Sequence, residues 1–113
     1  MENERSVMTL ARMQEIQKEL QEKYKDYWRQ VAPENGHFSL LWAVGEMGEV
    51  IDIIKKMGDD AIMDDPDTRR EFIREMVDVL MYMTDTMLCY GITPEEMTEV
   101  YEEKHAYNMH RWE

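Results

Sequence analysis

The sequence predicts an all-α fold, a four-helix bundle formed as a single domain over residues 1–113. Apolar residues recur at three- and four-residue steps through most of the chain, which is the spacing of one face of an amphipathic helix. No segment of the sequence keeps the two-residue alternation of a half-buried strand. Helix-breaking residues divide the chain into four apolar segments with short connections, an arrangement typical of helical bundles.

The first two predicted helices occupy the N-terminal half of the chain. The first is long and amphipathic, with apolar positions across residues 10–31, and the Pro-Glu-Asn-Gly run at residues 33–36 interrupts it. Ser39 is a suitable N-cap for the second, which extends to about Met57. Gly58 then provides a C-terminal stop.

Residues 59–67 form an acidic connector. Within it either Asp65-Pro66 or Asp67 can open the third predicted helix, which continues to Tyr90. Gly91 ends that helix. The run Thr-Pro-Glu-Glu at residues 93–96 combines an N-cap, a first-turn proline and a capping-box glutamate. It marks the start of a fourth helix that reaches about Arg111.

Composition excludes several classes of function. With 13 Lys and Arg against 25 Asp and Glu, the formal net charge of −12 excludes nucleic-acid binding through a basic patch. Cys89 is the single cysteine, so one chain can build neither a disulfide nor a thiolate zinc site. The longest apolar runs are too short to span a membrane, and the N-terminus lacks a secretion-signal pattern. We expect a soluble, cytoplasmic protein.

Two pairs of acidic residues lie in strongly apolar settings. Glu46 and Glu49 are three residues apart on the second predicted helix, and Glu75 and Asp78 have the same spacing on the third. Acid pairs are common in so acidic a chain, so spacing alone does not indicate a site. The surrounding residues show which pairs are candidates. Helices that are apolar around most of their circumference belong in the interior, where unpaired carboxylates cost several kcal/mol each.

A divalent cation would neutralise these four carboxylates. The nearby cations, Arg74, Lys55 and Lys56, are too few to do so. An all-oxygen ligand set suits Mg²⁺, with Mn²⁺ as a possible substitute. The alternative is that the carboxylates are surface groups paired with Lys, Arg or solvent.

The fourth predicted helix carries a complementary set of groups. Lys104, Asn108 and Arg111 fall within about 60° of one another at about 100° per residue. An Arg fork, a Lys point charge and an amide on one stripe can bind phosphate oxygens. The alternative is a solvated helix face.

These motifs, in this order, resemble the all-α NTP pyrophosphatases: Glu46-x-x-Glu49, Glu75-x-x-Asp78 and Lys104-x-x-x-Asn108-x-x-Arg111. That superfamily comprises the MazG-like proteins, the dCTP pyrophosphatases and the dimeric dUTPases, and the similarity covers about residues 8–112. The resemblance implies a MazG-like domain that hydrolyses a (d)NTP to the (d)NMP and pyrophosphate with Mg²⁺, in nucleotide-pool house-cleaning. It also implies a homodimer, which in some members of the superfamily pairs again into a dimer of dimers. Such apolar helices independently favour a second copy.

The resemblance also implies residue roles. Four carboxylates would hold the metal: Glu46, Glu49, Glu75 and Asp78. Independently of the resemblance, a carboxylate not fully engaged with metal would orient or deprotonate the attacking water, and we predict that Glu49, with Glu46 beside it, acts catalytically in this way. Phosphate would be held by Lys104, Asn108 and Arg111. Tyr82 would lie at the nucleotide, and weaker candidates for contacting the base are His37, Phe38 and Trp42. Some cytosine-selective relatives carry an aromatic base platform where this chain has Lys56, so base and sugar preference stay unassigned.

Two other functions remain open from the residues. A non-catalytic acidic helical interaction module would use the acids as a docking face and the Met-rich helices to bind a partner. A metal-storage or metal-sensing bundle would bind the ion without nucleotide turnover. Thermal stabilisation by Mg²⁺ with a non-hydrolysable nucleotide would separate an enzyme from the interaction module.

Overall fold

The computed structural model describes residues 6–113, and all the regular secondary structure in this part of the chain is helical, without a strand. The predicted all-α fold is confirmed, with five helices where four were expected. Their bounds are α1 Leu10–Lys23, α2 Gly36–Met57, α3 Asp59–Asp64, α4 Pro66–Cys89 and α5 Pro94–His110.

Helix α1 is shorter than its apolar spacing predicts, because it ends at Lys23 and not near Val31. The backbone N–H groups of Tyr27 and Trp28 both donate to the Tyr24 carbonyl, each at 2.9 Å, so a turn follows the helix. The Tyr24 and Trp28 rings stack with centroids 4.8 Å apart. Helix-like spacing therefore continues in the sequence after the helix itself has ended.

Helix α2 begins earlier than predicted. A 3-10 turn at Pro33–Asn35 leads directly into Gly36, so Ser39 lies inside the helix and is not its N-cap. A Cβ on Gly36 would meet the Tyr90 ring, so a glycine there allows the start of α2 to approach the end of α4 closely. The end at Met57 is as predicted, and Gly58 follows with φ 85°.

The acidic connector contains a helix, α3, that the sequence analysis missed. After it, the Asp65 side chain accepts from the Thr68 N–H at 3.2 Å and caps α4, which selects Asp65-Pro66 from the two predicted starts. The capping box of α5 is also confirmed. The Thr93 hydroxyl accepts from the Glu96 N–H, and the Glu96 carboxylate accepts from the Thr93 N–H, both at 3.0 Å.

Helices α2 and α4 pack together over the largest interface, and α1 and α3 both pack against α4. Helix α5 is different: among the described elements it contacts α1 alone, and none of its residues is buried. One chain therefore does not close the predicted four-helix bundle. None of the described helices combines the length and apolar character needed to cross a bilayer.

The single chain leaves much apolar surface uncovered. Its radius of gyration is 16.9 Å, against about 13 Å for a compact domain of this length. Its accessible surface is 9242 Å², against about 6,600 Å² for a folded monomer of this mass. One row of exposed side chains on α2, the α2 stripe, has helical spacing and consists of Leu40, Val44, Met47, Ile51 and Ile54.

Candidate metal centre and adjoining cavity

Three carboxylates converge where α2 packs on α4. Glu46 of α2 and Glu75 and Asp78 of α4 each offer an oxygen, and these oxygens lie within 4.8 Å of one another. All three residues are half-buried. The three-residue spacing on α4 places both of its acids on one face, toward Glu46. We call this cluster the acidic triad.

No cation neutralises the acidic triad within residues 6–113. Each ion pair found there joins residues three apart, and none includes a triad member. Arg74, the nearest candidate in sequence, is bound to Glu71 at 2.7 Å. Desolvation raises the pKa of the Glu75 carboxyl, and its contact with Glu46 and the charges of Asp78, Glu46 and Glu71 raise it further. The triad concentrates negative charge at one point.

The donor set of the triad fits a hard divalent cation. Oxygens on opposite sides of Mg²⁺ are about 4.2 Å apart, and the triad oxygens lie within 4.8 Å of one another. Small side-chain rotations would therefore bring the three carboxylates within bonding distance of one ion. Glu49, the fourth predicted ligand, is exposed and lies outside the triad. The structure therefore brings together three of the four carboxylates and leaves Glu49 one turn away on α2.

A cavity of about 430 Å³ adjoins the triad, and Asp78 belongs to both. Its walls come from α1, the segment after it, α2 and α4. The aromatic part of the lining is Trp28, Phe38, Trp42 and Tyr82, and the polar part includes Gln17, Gln21, Asn35 and Asp85. The Trp42 and Tyr82 rings are nearly parallel, at 23°, with centroids 6.2 Å apart. The cavity thus joins flat apolar walls to hydrogen-bonding groups.

Asp85 is the most unusual group in this cavity. Only 6% of the residue is exposed, and its Oδ1 has no hydrogen-bond partner in the described part of the chain. Burial raises the pKa of the Asp85 carboxyl, and the amides of Gln21 and Gln17 offset part of that rise. Sequence analysis did not single out Asp85. The available signal was its position seven residues after Asp78, on the same face of α4.

The predicted nucleotide-binding residues divide into two groups. Tyr82, Phe38 and Trp42 line the cavity. Desolvation raises the pKa of Tyr82, and so do the nearby carboxylates. His37 is exposed and outside the cavity lining, with its ring 4.0 Å from that of Phe38.

The predicted phosphate-binding residues Lys104, Asn108 and Arg111 lie on α5 or at its end, fully outside the core. The Lys104 ammonium lies 5.1 Å from the Tyr107 ring centroid, and the Arg111 guanidinium lies 6.0 Å from it. Because α5 does not contact α2 or α4, one chain does not bring these residues to the triad.

No protein-family model, curated protein or solved structure matches the chain. The functional assignment therefore rests on the triad, the cavity and the sequence motifs.

The raised pKa of Glu75 predicts a specific pH dependence of stability. A carboxyl whose pKa is higher in the folded than in the unfolded protein stabilises folding below its ordinary value of 4.5, and this contribution is lost as pH rises through the folded pKa. Without metal, Glu75→Gln should therefore become progressively more stable than wild type as pH rises from about 4.5 to neutrality. Urea unfolding of both proteins across this range measures the difference. A difference that stays constant with pH would contradict the repulsion inferred here.

Proposed function

We propose that this protein is a Mg²⁺-dependent nucleoside triphosphate pyrophosphohydrolase that converts (d)NTP and water to (d)NMP and pyrophosphate. The observation that carries the proposal is the junction of the acidic triad with the cavity through Asp78. The triad suits an ion that accompanies polyphosphate, and the aromatic and amide lining suits a nucleoside. The resemblance of the three motifs to the MazG-like proteins supports the same reaction, and a role in nucleotide-pool house-cleaning.

Different carboxylates of the chain would bind the metal and activate the water. Glu46, Glu75 and Asp78 would hold Mg²⁺, which when bound would neutralise phosphate charge and polarise the α-phosphoryl group. Glu49 lies outside the triad, so its carboxylate is free to orient the attacking water and accept its proton. The water oxygen bonds to the α-phosphorus as the bond to the bridging oxygen breaks. Pyrophosphate leaves with that oxygen.

We propose that the remaining phosphate contacts come from a second copy of the chain. The face of α5 that carries Lys104, Asn108 and Arg111 also presents the exposed apolar residues Val100 and Tyr101, within about 60° to either side. A cationic and apolar face of this kind complements the acidic triad and its apolar surroundings. Lys104 and Arg111 would then stabilise the charge that develops on the leaving pyrophosphate.

The uncovered surface also supports a homodimer. The chain exposes roughly 2,700 Å² more than a compact monomer of its mass. Each partner of an obligate dimer buries about 1,000–2,500 Å², so a second copy at the upper end of this range would cover most of the excess. The α2 stripe supplies the apolar centre that such interfaces need.

The test is incubation of the full chain with each common dNTP and NTP, with Mg²⁺ or with EDTA, followed by separate assays of pyrophosphate and orthophosphate. We expect equal amounts of monophosphate and pyrophosphate, and none with EDTA. Release of orthophosphate would contradict cleavage at the α-phosphorus. Absence of turnover with every nucleotide, under both Mg²⁺ and Mn²⁺, would overturn the enzymatic proposal.

A second candidate function is a non-catalytic interaction module, which the exposed α2 stripe and the uncovered α5 favour. In that case Mg²⁺ with a non-hydrolysable nucleotide would leave the melting temperature unchanged. The enzymatic proposal predicts an increase, because a ligand that binds only the folded protein stabilises it.

A further inference from the structure

We propose that Asp85, supported by Gln17 and Gln21, forms a recognition site for a nucleobase that carries an exocyclic amine next to a ring nitrogen, as in cytosine and adenine. The inference rests on the proposed function for the placement of the phosphates. Recognition of the base itself can be tested without turnover.

The first support is the unsatisfied acceptor at Asp85. The residue is more than nine-tenths buried, yet Oδ1 has no donor among the described residues. Buried polar atoms are paired in the great majority of native structures, so an orphan acceptor on a cavity wall indicates a missing donor. An amine N–H from a ligand would satisfy it.

The second support is the shape and chemistry of the surroundings. Trp42 and Tyr82 both line the cavity, with rings 23° from parallel and centroids 6.2 Å apart, so each is an aromatic surface against which a heteroaromatic ring can pack. Gln17 is 5% exposed, and its amide lies beside the Asp85 carboxyl, as does that of Gln21. An amide N–H can donate to the ring nitrogen while the carboxylate accepts from the amine.

The third support is the position of Asp85 relative to the triad. Asp78, Tyr82 and Asp85 follow one another at spacings of four and three on α4, so they share a face. Seven residues of helix correspond to about 10 Å along its axis. A nucleoside spans such a separation, with its phosphate end at Asp78 and its base edge at Asp85.

The hydrogen-bonding groups of the bases predict which of them the site prefers. Cytosine and adenine present an amine donor, whereas uracil and thymine present a carbonyl oxygen at the corresponding position. The selectivity belongs to the ionised form of Asp85, whose carboxylate can only accept, so the carbonyl would face it with no hydrogen atom between the oxygens. Such a site disfavours the wrong base through unpaired buried groups.

The test measures binding of the product mononucleotides dCMP, dAMP, dUMP and dTMP to the full chain by calorimetry in Mg²⁺, so no turnover is needed. We expect dCMP or dAMP to bind at least about tenfold more tightly than dUMP and dTMP. Asp85→Asn, whose amide can also donate, should reduce that ratio by about tenfold or more. Gln21→Leu serves as a second variant should Asp85→Asn misfold, and it too should reduce the ratio.

Equal binding of all four mononucleotides, or no binding of any at millimolar concentration, would overturn the inference. So would an unchanged ratio in a folded Asp85→Asn variant, or tighter binding of tetramethylammonium, which would identify the cavity as a simple cation site. The two proposals fail separately. Base-selective binding without pyrophosphate release contradicts only the enzyme, and hydrolysis without base preference contradicts only the role of Asp85.

Discussion

The variant that combines Glu75→Gln with Asp78→Asn is expected to lose Mg²⁺-dependent pyrophosphate release by at least about 10²–10³-fold. It removes two of the three charges of the acidic triad while keeping side-chain size. The same variant should be more stable than wild type without metal, because it relieves like-charge repulsion among groups that have no cationic partner in the described part of the chain. It should also lose the stabilisation by Mg²⁺, which for wild type is about 2.7 kcal/mol at a hundred times the dissociation constant.

The matched control is Glu99→Gln with Glu102→Gln. This pair has the same spacing and the same change in charge, but it lies on α5, on the side opposite Lys104. The control should keep wild-type turnover and the full response to Mg²⁺. If both double variants lost activity equally, net charge would explain the effect and the triad assignment would fail.

Placing charges in the α2 stripe should produce the second large effect. Wild type is expected to have twice the 13.6 kDa chain mass in solution. Val44→Asp with Ile51→Asp should shift it to the single-chain mass, because burying two unpaired carboxylates in an apolar interface costs several kcal/mol each. Turnover should be lost at the same time, since the proposed phosphate contacts come from the second copy.

Light scattering coupled to size-exclusion chromatography measures this shift. Val7→Asp is the control, because Val7 is 88% exposed and precedes α1. It should remain dimeric and active. A wild-type mass of one chain, with turnover intact, would contradict both the dimer and the shared site.

Local signals in the sequence predicted those elements whose ends depend on local contacts. The capping box at Thr93 and the proline start of α4 involve hydrogen bonds within four residues, so their residues alone specify them. The end of α1 was missed because the Tyr24–Trp28 stack continues the helical spacing past the last helical residue. Helix α3 was missed because six residues carry too little periodicity to stand out from an acidic connector.

The difference between local and long-range contacts also explains which parts of the candidate site could be predicted from the sequence. Two acid pairs on adjacent apolar helices were enough to predict that carboxylates meet. Which ones meet depends on where α2 crosses α4, and that crossing includes Glu46 and leaves Glu49 outside. The importance of Asp85 was hidden because its surroundings include the amides of Gln17 and Gln21, more than sixty residues away in sequence.

Among the elements within residues 6–113, helix α5 packs against α1 alone. If Lys104 and Arg111 serve the site of another copy, the competent enzyme is a product of association and its abundance follows the square of chain concentration when chains are dilute. Specific activity would then fall on dilution and recover on concentration, without any unfolding. A cell could adjust hydrolysis steeply through modest changes in expression of this one polypeptide.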